Sequence, residues 1–144
     1  MPRQSPVEIL NQLLALHTRS LPTYLLSAKP WVSNEAAQAA LTVLEQIAAD
    51  QGLVAGRIVA VIRDEHGTPA SSEFPINFTD MHDLSMDYIM AEVQARQERE
   101  IEFMEWAVEN LAGAAVPGAI AEEALGAAKA HLDSLRELGA VSTA

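Results

Sequence analysis

The stretch from Leu10 to Lys29 constrains this chain more than any other. On a helical repeat Leu10, Leu13, Leu14, His17, Leu21, Tyr24 and Ala28 fall on one stripe. Such a stripe marks a helix that buries one face. Here the buried face also carries a histidine and a tyrosine, two turns apart. Any fold this chain adopts has to find partners for an imidazole in its interior.

The first helix is expected over about 5–29. Ser5, Pro6 and Glu8 form a capping box with proline at the first helical position, and Pro30 stops the helix. Pro22 cannot donate to the Thr18 carbonyl, which predicts a kink one turn past His17. A kink of this kind ordinarily bends a helix around its core; the functional alternative is that it opens the bundle near a site. A second helix is expected over about 34–66, capped by Ser33 or Asn34 and closed by Gly67. Its inner stripe is Ala37, Leu41, Leu44, Ala48, Gln51, Ala55, Ile58 and Ile62. Gly52 and Gly56 either admit another backbone or weaken the helix.

Residues 67–79 carry two prolines and a serine pair, while Phe74, Ile76 and Phe78 alternate as an extended segment would. A connection this long suits a crossover running the length of a bundle, leaving the second and third helices parallel. The third helix, about 80–111, opens at Thr79 or Asp80 with Asp83 in its first turn. Its stripe is Met86, Met90, Val93, Gln97, Ile101, Met104 and Val108, with Ile89 beside it. Glu92, Arg96, Glu98, Arg99, Glu100, Glu102 and Glu105 between them make pairs one turn apart, ordinarily a solvated face. After a hinge at 112–118, a fourth helix over about 119–138 turns Ala121, Leu125, Ala128, His131, Leu135 and Leu138 inward.

With 144 residues the chain is long enough for one domain and one sizeable core. Twenty acidic against 9 basic residues give a net charge of −11, which argues against nucleic acid as a partner. Cysteine is absent, so disulfides and thiolate metal sites are excluded. No apolar run reaches the length of a membrane span and the N-terminal residues lack a signal-peptide core, so no membrane partner and a cytoplasmic location are the expectation.

Four long helices with two short connections and one long crossover describe an all-α, ferritin-like four-helix bundle. The residues carry a matching resemblance. Leu10-Asn11-Gln12-Leu13-Leu14, followed by His17 and Tyr24, resembles the first-helix pattern of bacterioferritin, in which Leu-Asn-x-Leu-Leu precedes a metal ligand and a tyrosine. The likeness continues through Leu26, Ala28 and Lys29. Glu45-x-x-Ala48-x-Asp50 resembles the family's Glu-x-x-His-x-Asp, and His131-Leu132-Asp133 the histidine end of its second Glu-x-x-His.

The resemblance implies a metal site in the bundle core, typically iron, and metal-dependent oxidase chemistry in a member that is an enzyme. Carried over residue by residue, His17 replaces the first helix's carboxylate and Glu45 remains. Ala48 replaces the first histidine, Ala128 replaces the second glutamate, and His131 remains. Glu92 best matches the third helix's carboxylate, with Glu98 or Glu100 as alternatives. The surviving donors are thus His17, Glu45, Glu92 and His131, with Tyr24 behind them. Two imidazoles and one or two carboxylates suffice for a single divalent metal, iron or another; a full dinuclear centre is the less favoured alternative, since one Glu-x-x-His pair and half of the other are missing. The metal-free alternative is a buried histidine pair bonding each other, Tyr24 or backbone groups. Gln46 stands where the family's heme methionine would be, so no heme is expected. Asp64-Glu65-His66 reads as a solvated helix end, and Met86, Met90 and Met104 as core filler.

Two functions follow: a ferritin-like metal-binding protein with a reduced or single-metal site, or a non-catalytic bundle kept for self-association or for holding a partner. Trp31 and Trp106 lie outside the core stripes and Leu16 and Leu26 flank the first. That excess of apolar surface predicts a homodimer or higher homo-oligomer with the first two helices at the interface.

Overall fold

A computed structural model of the chain describes residues 4–28, 34–70 and 86–142. All regular structure in them is helical: α1 (Pro6–Thr18), α2 (Leu21–Ala28), α3 (Glu35–Asp64), α4 (Met86–Asn110) and α5 (Ala115–Ser142). No helix among the described residues is long and apolar enough to cross a membrane.

The first predicted helix is in fact two. Helix α1 starts as its capping residues dictate, with Ser5 Oγ accepting the Glu8 N–H at 3.2 Å and Pro6 in the first position. It stops at Arg19, whose backbone has left the helical region (φ −109°, ψ 23°). Buried Ser20 then opens α2 by accepting the Thr23 N–H on its hydroxyl at 3.2 Å. This side-chain bond competes with the backbone pattern that a continuous helix needs. Pro22 therefore falls in a first turn, where its missing N–H has no partner to lose. The expected kink is a restart.

Helix α3 is capped as predicted, with Asn34 Oδ1 accepting the Ala37 N–H at 2.8 Å. Its other end differs. The left-handed residue is His66 (φ 62°), not Gly67, and the Gly67 N–H closes the turn on the Ile62 carbonyl at 2.9 Å. Gly67 is needed for a different reason: a Cβ there would stand 2.6 and 2.8 Å from the two methyls of Val7. Asn11 then clamps the outgoing chain. Its Nδ2 donates to the Thr68 carbonyl at 3.1 Å, and its Oδ1 accepts the Ala70 N–H at 2.8 Å. The rest of the expected crossover, including Phe74, Ile76 and Phe78, lies outside the described residues. So do Asp80, His82 and Asp83 of the predicted third helix, and Ser33 and Trp31. Helix α5 is longer than its predicted counterpart at both ends, because Pro117 is tolerated in the first turn and the Gly118 N–H bonds the Ala114 carbonyl at 2.8 Å.

The stripes pack into two apolar clusters. The larger joins Leu10, Leu13 and Leu14 to Val54, Ile58 and Ile62 of α3, to Ile101, Met104 and Leu111 of α4, and to Ile120, Ala124 and Ala128 of α5. The smaller joins Leu21 and Leu25 to Leu44 and Ile47, Ile89 and Val93, and Leu135. The N-terminal halves of α3 and α4 meet in the smaller cluster and their C-terminal halves in the larger, so these two helices run parallel. Helices α1, α2 and α5 run against them. Each fully buried leucine or isoleucine contributes about 1.5–3 kcal/mol by leaving water, so the two clusters dominate the stability of the bundle. Gly52 and Gly56 are exposed, and among the described residues nothing stands where a Cβ would be and no other backbone comes close.

Candidate functional site

Polar residues fall where the two clusters meet: His17 and Ser20 at the α1–α2 junction, Gln51 on α3, Gln97 on α4, and His131 on α5 between Ala128 and Leu132 at the end of the larger cluster. His17, Ser20, Gln51 and Gln97 are the buried polar residues among those described. Each hydrogen-bonds within the bundle, which is the condition for keeping it there.

His17 sits in the last turn of α1, with Nδ1 2.8 Å from the Leu13 carbonyl. A carbonyl only accepts, so Nδ1 carries the proton. Burial lowers the imidazole's pKa; the Leu13 carbonyl partly offsets this, His131 lowers it further and Asp50 raises it. The ring is therefore neutral near pH 7, and its lone pair is on Nε2. His131 and Asp50 lie within the electrostatic reach of that buried ring.

His131 is held in a similar way. Its Nε2 lies 2.7 Å from Asp50 Oδ2, so Nε2–H donates to the carboxylate and the ring's other nitrogen, Nδ1, faces away from it. The His131 side chain is 14 % exposed and that of Asp50 is 44 %, so the pair reaches from the interior towards the surface. Beside them Ser20 donates its hydroxyl to Gln51 Oε1 at 2.6 Å. Its single proton being spent, Ser20 accepts from the Thr23 hydroxyl 2.9 Å away. Gln97 Nε2 donates to the Ala128 carbonyl at 3.0 Å, tying α4 to α5.

The sequence-derived donors are thus only partly gathered. His131, on α5, lies within electrostatic reach of His17 on α1. Glu45 is exposed on α3. Glu92 holds Arg96 at 3.1 Å and Arg99 at 3.7 Å, and Glu98 pairs with Arg136 at 3.5 Å, as a solvated charged face would. Glu100 is half-buried instead, and loss of solvent lifts its carboxyl to about 7 against the pull of Arg96 and Arg99. Tyr24 packs on the smaller cluster. Asp50 was not among the sequence-derived donors, although it closes the Glu45-x-x-Ala48-x-Asp50 motif. Among the described residues no three His, Asp or Glu side chains gather into a set able to hold a metal ion. No protein-family model, curated protein or solved structure matches the chain.

Proposed function

We propose that the chain is a ferritin-like bundle that binds one divalent metal ion through His17 and His131, with water completing the coordination and Asp50 orienting His131. The observation that carries this reading is common to both histidines. In each, one ring nitrogen donates to an oxygen acceptor, Leu13 O at 2.8 Å and Asp50 Oδ2 at 2.7 Å, which fixes the tautomer and leaves the other nitrogen's lone pair for a ligand. Ligating histidines are oriented in this way in metal sites generally. The low proton affinity of His17 keeps its ring in the neutral form that a metal requires. A dinuclear centre does not fit. Ala48 and Ala128 offer no side-chain donors, and Glu92 is committed to two arginines. When bound, such an ion supplies Lewis-acid chemistry and, if it is iron or manganese, one-electron chemistry.

The ferritin-like part of the proposal rests on topology. Parallel α3 and α4 require a connection that returns along the bundle. Its first residues set out that way: Gly67 lies against Val7, and Thr68 and Ala70 against Asn11, one turn further along α1. The chain from Ala70 to Met86 can span about 50 Å when extended, enough for a long crossover. A homodimer through α1 and α3 belongs to the same reading, supported by Leu53, which is 64 % exposed between two glycines that leave the surface open.

The second reading, a metal-free bundle, is favoured by the closed His131–Asp50 contact and by the lack of a third gathered donor among the described residues. Metal content separates the two. Protein purified under metal-sparing conditions and titrated with Fe²⁺, Mn²⁺ and Zn²⁺ should take up one ion per chain and release it on acidification. His17→Ala and His131→Ala should each abolish uptake, while Glu45→Gln and Glu92→Gln should leave it unchanged. Uptake of no ion by the folded parent protein would establish the metal-free reading instead.

A further inference from the structure

The outward face of α3 carries a pattern independent of the stripe that faces the core. Thr42, Glu45, Ala49, Gly52, Gly56, Val59 and Arg63 follow one another at alternating steps of three and four. That is the repeat of a seam between two helices that cross at a shallow angle. All are exposed except Val59, which is half-buried. Leu53 and Ala60 flank the seam on one side, and Leu53 is 64 % exposed. A Cβ at Gly52 or Gly56 would meet nothing within 4 Å, so the middle of the face lets another backbone come close. Between Glu45 and Arg63 the helix has two further charged residues, and both are turned to α5: Asp50 to His131 and Arg57 to Glu123. The uncharged centre is thus bounded by Glu45 at one end and Arg63 at the other. Neither has an ion-pair partner among the described residues. Each lies nine residues from Val54, about 13.5 Å along the axis in opposite directions.

We propose that a second copy of the chain docks on this face, as an antiparallel homodimer whose two-fold axis passes α3 at the level of Val54. The two α3 helices cross at about 20°, with Gly52 of each copy against Gly56 of the other. Glu45 of each copy then stands beside Arg63 of the other, and Leu53 covers the groove left by the glycines. The occupant follows from charge. Reversing the helix about Val54 exchanges the two charges and the two glycines, so the face is its own complement. A parallel pair would set Glu45 against Glu45 and Arg63 against Arg63. With a net charge of −11 on each chain, two copies repel over most of their surfaces, and an uncharged seam closed by opposite charges is where they can meet. This interface rests on the homodimer reading and narrows it to one helix and one register.

Sedimentation equilibrium of the full chain measures the Kd of the dimer. Arg63→Glu and Glu45→Arg should each weaken it about tenfold or more, since each replaces two opposite-charge contacts by two like-charge ones. The double variant Glu45→Arg/Arg63→Glu should return to near the parent value, because the pairs re-form with their signs exchanged. Gly56→Leu meets open space in the single chain, so it should fold as the parent does and still weaken the dimer by about tenfold or more. Circular dichroism establishes that each variant is folded. A parent that stays monomeric at micromolar concentration overturns both the interface and the homodimer reading. A parent dimer left unchanged by Arg63→Glu and Gly56→Leu, or one that the double reversal fails to restore, overturns the interface alone.

Discussion

Glu100 is flanked by two arginines of its own helix and is still hard to ionise. Burial outweighs both guanidiniums and raises its carboxyl from 4.5 to about 7. The sign of the consequence follows from linkage. Between these values the folded chain holds a proton that the unfolded chain releases, so this group's contribution to stability is largest below about pH 4.5 and falls as pH rises to about 7. Glu100→Gln removes the effect. Urea melts at pH 5 and pH 8 should show the parent losing more stability than the variant, with the variant ahead at pH 8 by on the order of 1–3 kcal/mol. If the two proteins lose stability in parallel, Glu100 ionises without cost and its burial is energetically silent. The charge pattern could not single out this residue. Glu98 and Glu100 are two positions apart and so lie on opposite sides of α4: Glu98 meets Arg136, whereas Glu100 stands one turn from buried Gln97 and Met104, at the edge of the inner stripe. Asp50 is a parallel case. Its motif was readable, but its bond to His131 depends on how α3 and α5 are rotated about their axes.

At the scale of elements, what is local was readable and what is distant was not. Caps at Ser5 and Asn34 concern three or four neighbouring residues, and both appear where the sequence puts them. The end of α3 was misread because the reason for Gly67 is Val7, a residue at the opposite end of the N-terminal half of the chain. A glycine after a helix ordinarily means a left-handed cap; here His66 takes that conformation and the glycine makes room. Gly67→Ala should therefore destabilise by about 1–3 kcal/mol, the usual cost of overpacking. Val7→Ala in the same chain should recover part of that loss, because the methyls in the way are gone. Chemical denaturation of the parent, both single variants and the double variant measures the coupling. Additive losses would show that Gly67 is needed for its backbone and not for the space it leaves.

For the molecule as a whole, the inward stripes were the readable part: Leu10, Leu44, Ile58, Val93 and Ala121 are all buried as their spacing requires. The unequal division of the interior was not readable, because a stripe does not reveal where its polar members will line up across helices. The larger cluster draws on long runs of α1, α3, α4 and α5, whereas the smaller has seven buried residues and is closed by the short α2. Native proteins open in cooperative units whose free energies follow the apolar contacts each unit loses. In native-state hydrogen exchange under low denaturant, the amides of Leu44 and Ile47 should exchange through a partial opening, and those of Ile58 and Ala107 only with global unfolding. A uniform exchange free energy along α3 would mean that the polar layer couples the two ends instead of separating them. If the ends do separate, α3 is one continuous helix in geometry and two in energy, and the histidines sit at the seam, where a bound ion would stabilise both sides at once.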